Sequence, residues 1–399
     1  MSNGWPHVAL TELVTQRRDA VKIESGAEYR LLGVRWYGEG AFHRETVTRE
    51  TSKATTLYRV VPGQFIYNRL FAGKGSFGLV LPEFAGAFVS NEFPLFDTDT
   101  ERLSVEYLYL YFQQRAVWGY VESVSTGTTA SRNRWKESQF LAHHIPLPPL
   151  PVQERIVEVI GAVDDQITAL DAEVTALAAV LRRRRADLIA DASVEAVRAE
   201  HAFDFSTGVR RTPDRATGPY MTPYLRSANV GYGKLDLSDV LEMNYEPAER
   251  KKFGLQYGDV VVSEGSASPN AVGMPAMWRD ELPAPVCTQM TLLRLRALEG
   301  VCIPEFVFHW SMWAYESRAF LDVAGGTNIK HISAKRAKGM AVRLPSLDRQ
   351  RKMAVELDAM ESALEATRAE AARLRDVRAG LLSGLLDGTI EIASAELEV

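Results

Sequence analysis

The sequence predicts a mixed α/β (α+β) protein in which two related globular domains alternate with two long helices. Three observations carry this. Leu147-Pro148-Pro149-Leu150-Pro151-Val152-Gln153-Glu154-Arg155-Ile156 returns 197 residues later as Leu344-Pro345-Ser346-Leu347-Asp348-Arg349-Gln350-Arg351-Lys352-Met353. Each copy opens a run whose apolar positions alternate in steps of four and three, the seam of a coiled coil. The stretches before the two copies share short β-rich motifs at offsets of 195 to 199 residues. The expected order is a globule over 1–150, a long helix over 151–195, a second globule over 196–345, a second helix over 346–390 and a tail over 391–399.

In the globules, residues 29–34 resemble residues 224–230, and residues 61–67 match 256–262, both at an offset of 195. Each pairing reads as a turn feeding a short strand. Residues 106–112 pair with 305–310 as an apolar helix, and Gly127-Thr128 pair with Gly326-Thr327, both at an offset of 199. Between these anchors the sequences diverge, so one scaffold carries two surfaces.

The first helical seam is Ile156, Ile160, Val163, Ile167, Leu170, Val174, Leu177 and Leu181, continuing to Arg184 and Leu188. Adding 197 gives Met353, Leu357, Met360, Leu364, Thr367, Ala371, Leu374, Arg378, Leu381 and Leu385, weaker at Thr367, Ala371 and Arg378. Glycines 380, 384 and 388 place the second helix end near Gly388. A helix of roughly 38 residues spans about 55–60 Å. Antiparallel pairing within the chain is expected, because both seams share one chain at high effective concentration; homodimerisation through the helices is the alternative. Pro151 suits a first helical turn and Asp348 suits a cap. The residues before each helix, 144–148 and 341–345, read as short extended segments.

A chain of 399 residues with 46% apolar and 24% charged residues accommodates two ordinary domains. Its net charge of −5 argues at first against a polyanionic partner. The distribution reverses that argument: residues 1–150 carry +1, 151–195 carry −4, 196–345 carry +2 and 346–399 carry −4. The acid sits in the helices, leaving the globules room for local cationic faces but only weak phosphate affinity. Cys287 and Cys302 make neither a disulfide framework nor a metal-ligand spacing. There is no signal-peptide core and no membrane-length apolar run, so a cytoplasmic protein is expected.

Catalytic motifs are weak. Gly73-Lys74-Gly75-Ser76-Phe77-Gly78 matches GxGxxG, but a strand pattern ending at Pro82 follows where a dinucleotide site needs a helix. Glu249-Arg250-Lys251 reads as an exposed charged turn, and the adjacent His143-His144 are badly spaced for a shared metal. Arg182-Arg183-Arg184-Arg185 suits the negative end of a helix dipole better than a phosphate. No catalytic residue and no metal ligand is assigned.

Two basic loops are more informative. Thr128, Arg132, Asn133, Arg134 and Lys136 lie in one, and Thr327, Asn328, Lys330, His331, Lys335 and Arg336 lie at the matching place in the other. Cations anchor phosphates, while Arg, Asn and Lys also hydrogen-bond base edges. Arg69 and Lys74 in the first globule, and Arg226, Lys251 and Lys252 in the second, complete the candidate DNA contacts.

The repeated Leu-Pro-x-Leu-x-x-Gln helix start, the opening Trp5-Pro6-His7-Val8-Ala9-Leu10 and the duplication over essentially the whole chain resemble the specificity subunit of type I restriction-modification enzymes. The second copy departs at Ser346 and Arg351. The resemblance implies that each globule is a target-recognition domain reading one half of a split, asymmetric double-stranded DNA sequence. It implies that the helices fix the gap and dock two methyltransferase subunits, with Leu150, Gln153, Ile156, Leu347, Gln350 and Met353 at the helix starts as docking candidates. S-adenosylmethionine, and ATP with magnesium where a motor-nuclease subunit joins, would enter through partners, leaving this chain without catalysis or cofactor. A scaffold or inhibitor of the same architecture, and a two-domain DNA-modifying enzyme, remain alternatives.

Overall fold

The duplicated sequence folds into a duplicated sheet. A computed structural model describes residues 5–127, 133–266, 268–327 and 329–391. By contacts the chain forms two units, Met1–Leu170 with Ala369–Val399 and Asp171–Arg368, so each unit holds one globule and a part of each long helix.

In unit 1 the strands Val14–Arg17, Leu95–Thr98, Phe65–Tyr67 and Phe77–Leu79 form one sheet in that order. In unit 2 the strands Phe203–Thr207, Leu292–Ala297, Val260–Ser263 and Pro275–Met277 repeat the order. All pairings are antiparallel. Central strands are apolar throughout because both faces are covered: Phe65, Ile66, Tyr67, Val260, Val261 and Val262 are fully buried. A two-stranded collar closes each globule, His7–Ala9 on His144–Pro146 and Ala196–Arg198 on Ala341–Arg343. These are the extended segments expected before the helices.

The globules part company in a second sheet. Unit 1 has five strands, Ala20–Lys22, Thr56–Arg59, Phe88–Val89, Tyr29–Val34 and Ala41–Val47 in order. Unit 2 has three, Leu241–Asn244, Met221–Leu225 and Cys287–Thr288. The divergence between the repeated motifs is therefore concentrated in one layer, while the shared sheet keeps its pattern. The apolar helices appear as Val105–Tyr111 and Pro304–Glu316, packed on the shared sheet.

The long helices are Leu150–Ile189 and Leu347–Asp387, the second stopping before Gly388, whose φ of 74° is the left-handed cap. In unit 1, Ile156 and Ile160 near the start of the first helix share a core with Leu382, Leu385 and Leu386 near the end of the second. In unit 2, Leu177 and Leu181 late in the first helix pack with Leu357 and Leu364 early in the second. Each unit thus pairs the helices antiparallel. Among the described residues no helix is long and apolar enough to cross a membrane.

Three details correct the sequence reading. The seam does not continue through Arg184: Arg184 is exposed, Arg185 and Ile189 are buried and Leu188 is half-buried, whereas in the second helix the expected Leu385 is buried together with Leu382 and Leu386. A helix of 3.6 residues per turn drifts from a strict 3.5 repeat, so the buried face of the first helix moves by one position near its end. Second, Arg378 is not a seam defect. It pairs with Asp164 at 2.8 Å and donates to the Gln113 side chain at 2.6 Å. Third, Ser346 rather than Asp348 caps the second helix, its hydroxyl accepting from the Arg349 N–H at 3.4 Å, whereas Asp348 binds Lys352 one turn on.

Candidate nucleic-acid interface

Both basic loops hang from equivalent attachments. In unit 1, Thr126 and Arg134 form an antiparallel bridge and the Trp135 N–H donates to the Arg69 carbonyl at 3.0 Å. In unit 2, Gly325 and His331 form the bridge and the Ile332 N–H donates to the Glu264 carbonyl at 2.8 Å. A short helix follows each loop, Glu137–Leu141 and Ala334–Lys338. The matched placement read from sequence is thus a matched placement on the shared sheet.

The side chains divide into bound and free. Arg134 holds Glu92 bidentately, both contacts at 3.0 Å. Arg69 sits between Glu137 at 3.2 Å and Glu92 at 3.6 Å. Burial opposes ionisation of Glu92, yet Arg134 and Arg69 together hold its carboxyl below the usual range. These two arginines brace the base of the first loop, and their charge is already answered. Lys74 lies 3.3 Å from Glu122, and Arg226 lies 2.5 Å from Asp239. Lys136, Lys251, Lys252, Lys335 and Arg336 are exposed, with Lys252 stacked on Phe253 and Arg336 donating to the Val323 carbonyl at 3.3 Å. Thr327 and His331 are exposed, and Asn133 and Lys330 half-buried. His331 faces Glu264, whose carboxyl is pushed up by burial and pulled back by the imidazole. Thr128, Arg132 and Asn328 lie outside the described residues.

Gly73–Gly78 forms a hairpin and no phosphate loop. Gly75 takes φ 73° against Trp118, where a Cβ would come within 2.5 Å of the indole, and the strand Phe77–Leu79 follows. Three arginines of the run from Arg182 to Arg185 are met by carboxylates. Arg183 pairs with Asp187 at 3.1 Å and Arg184 with Glu356 at 3.0 Å, while fully buried Arg185 joins Glu316 and Glu361. His309, Asp358 and Glu361 bring ligand atoms within 4.8 Å of one another. The 2.9 Å His309–Asp358 hydrogen bond and the Arg185–Glu361 pair account for that cluster.

The duplicated glutamine has a structural role that sequence reasoning misassigned. Gln153 is fully buried; its Oε1 accepts from the Ser104 N–H at 2.9 Å, and its Nε2 donates to Arg102 O at 2.9 Å and Pro148 O at 2.8 Å. Gln350 repeats the clamp with the Ile303 N–H at 3.0 Å, Val301 O at 3.0 Å and Pro345 O at 2.9 Å. Ile156 and Met353 are buried in the unit cores, and Leu150 and Leu347 are half-buried. Docking to a partner is therefore closed to Gln153, Gln350, Ile156 and Met353, whose surfaces are spent joining helix to globule. The exact repeat of the glutamine at the same step after Leu-Pro-x-Leu, while its flanking residues change, was the available signal, since a buried amide must find all its partners.

Comparison with known proteins agrees with this architecture. No family profile matches the chain. It is 23% identical over 177 residues to the type I restriction enzyme StySPI specificity subunit of Salmonella potsdam, a match spanning 43% of this chain and 37% of that relative. Three solved chains share the fold over 97–98% of this chain and 98–99% of their own. One comes from a study of complex assembly and conformational transition of the type I R-M system, with TM-score 0.68 and 16% identity. The others are the HsdS subunit from Thermoanaerobacter tengcongensis, at 0.52 and 17%, and the type I S subunit from M. genitalium, at 0.55 and 13%.

Proposed function

We propose that this chain, whose fold is that of the type I restriction-modification specificity subunits, reads one asymmetric, two-part DNA sequence, each unit taking one half. The observation that carries the reading is the pair of loops hung at equivalent places on equivalent sheets but built from different side chains. Identical attachment gives each half the same approach to a groove, and different chemistry gives each a different sequence to read. The exposed cations Lys136, Lys251, Lys252, Lys335 and Arg336 are the contacts this reading favours. Arg69 and Arg134 act as supports for the first loop.

In this reading the chain is non-catalytic. The paired helices set the unspecified gap and dock two methyltransferase subunits, and a motor-nuclease subunit completes a restriction complex. The methyl donor S-adenosylmethionine belongs with the partners. The test is selection of a random duplex pool by the full-length chain at about 50 mM salt, where phosphate contacts are strongest. Two conserved half-sites at a fixed separation are expected; a contiguous motif, or none, contradicts the reading. Methyl transfer to DNA by the chain alone would contradict it equally.

A further inference from the structure

In unit 2 three segments run parallel and end side by side. Val209 bridges Gln289, its N–H donating to Thr288 O at 3.1 Å while the Met290 N–H returns to Val209 O at 3.0 Å. On the other flank Leu225 pairs with Thr288 in parallel, and Leu225 O accepts from the Gln289 N–H at 2.9 Å. The approach is close enough that a Cβ on Gly208 would fall 1.8 Å from Thr288 O, so only glycine fits there. Paired strands lie about 4.8 Å apart. The residues that follow, Arg210-Arg211, Gln289-Met290 and Arg226-Ser227, therefore emerge as one row roughly 10 Å wide.

The row has an unusual composition for an idle sheet edge. Met290 is 40% exposed at its centre. The Gln289 carbonyl accepts from the Thr291 hydroxyl at 2.8 Å, which orients the side chain and leaves its amide hydrogens pointing to no partner among the described residues. The Thr291 hydroxyl is itself held by the Ser227 N–H at 3.2 Å. Arg210 and Arg211 are exposed and have no carboxylate in ion-pair range among the described residues. At the other end Arg226 meets Asp239, whose side chain is itself 69% exposed.

We propose that this edge is a second DNA-reading element of unit 2, distinct from the loop over 325–338. Gln289 and Met290 meet base edges in the major groove, and Arg210 and Arg211 hold the flanking phosphates. A donor amide matches the acceptors of guanine (N7, O6) or thymine (O4), and a methionine matches the thymine methyl. The proposal rests on the DNA-reading function argued above. Unit 1 places different chemistry at the matching strand: Phe88–Val89, parallel to Tyr29–Val34, runs into Ser90 and exposed Asn91. Two different half-sites require such a difference.

The test compares the wild-type full-length chain with variants in the random-duplex selection. Gln289→Ala and Met290→Ala should lose discrimination by about tenfold at one or two adjacent positions of one half-site, leaving the other half-site and the gap unchanged. Gln289→Glu keeps the shape but exchanges a donor for an acceptor; it should move the preferred base at that position toward one presenting an amino group, a change that misfolding cannot imitate. Arg210→Ala with Arg211→Ala should weaken binding to all sequences and reduce the slope of log K against log salt by about 2. An unchanged consensus in all three Gln289 and Met290 variants overturns the proposal while leaving the function standing. Failure of the wild-type chain to select any two-part motif overturns the function, and this inference with it.

Discussion

Replacing Arg185 with Met should cost unit 2 about 3–5 kcal/mol, the range for removing one partner from a buried ion pair. The structure places Arg185 at the high end of this class of contact. Its side chain is fully buried, the two carboxylates it holds are 10% exposed (Glu316) and 25% exposed (Glu361), and they come from the helix Pro304–Glu316 and from the second long helix. One guanidinium therefore ties three elements. After substitution Glu361 can rehydrate, but Glu316 keeps the Tyr232 hydroxyl and the more distant charge of Arg182 and stays desolvated. The pH dependence gives the sharper reading. Burial raises the Glu316 pKa and Arg185 opposes that rise, so the variant's carboxyl should climb further. A folded pKa above the unfolded value means that the native state binds the proton first, so stability falls as pH rises from the unfolded value through the folded one. The loss should accordingly be larger at pH 8 than at pH 5. Hydrogen exchange of the amides in 304–316 and 353–365, followed against urea at both pH values, measures it. Adding Glu316→Gln and Glu361→Gln to the Met variant should recover most of the loss. A cost below about 1 kcal/mol, or one independent of pH, would refute the buried-charge argument.

Other perturbations follow from the same geometry. Gln153→Ala and Gln350→Ala should each cost about 2–4 kcal/mol by orphaning an N–H and two carbonyls, and the two losses should be similar because the clamps match; urea titration decides, and a cost near zero for either would count against the clamp. His143, hydrogen-bonded to Tyr111, is pushed down to about 4 by burial, with His144 and His7 adding to it. Its unfolded form binds the proton first as pH falls, so stability should drop by about 2–3 kcal/mol between pH 6.5 and 4, and His143→Asn should flatten that slope in pH-dependent melting. Gly75→Ala should cost about 2–3 kcal/mol, from a positive φ and from the collision with the Trp118 indole, and thermal melting would register it.

What could be read in advance was whatever repeats. A heptad pattern constrains its own partner, so the long helices and their antiparallel pairing were legible from Ile156 to Leu181. The offset of 195 to 199 residues was enough to expect one scaffold used twice. Charge pairing was not legible, because it depends on side chains that meet only after folding: Arg134 finds Glu92 42 residues away, Arg378 finds Asp164 214 away, and Arg185 finds Glu361 176 away. Arg69 and Arg134, which read as phosphate ligands in a line of sequence, meet Glu92 and Glu137 in the fold, and Arg378, which looked like a flaw in a seam, proved to be a link. The row at Arg210, Gln289 and Arg226 was invisible for the same reason, since it exists only where three separated segments end together.

The most direct test shortens the helices and reads the DNA. Deleting residues 168–174 together with 368–374 removes one heptad from each helix and leaves the Asp164–Arg378 and Arg185–Glu361 pairs in place. Seven helical residues span about 10 Å, or about 3 base pairs of duplex. Random-duplex selection with the deleted chain should return the same two half-sites about 3 base pairs closer together. Altered half-sites at the original separation would contradict the account.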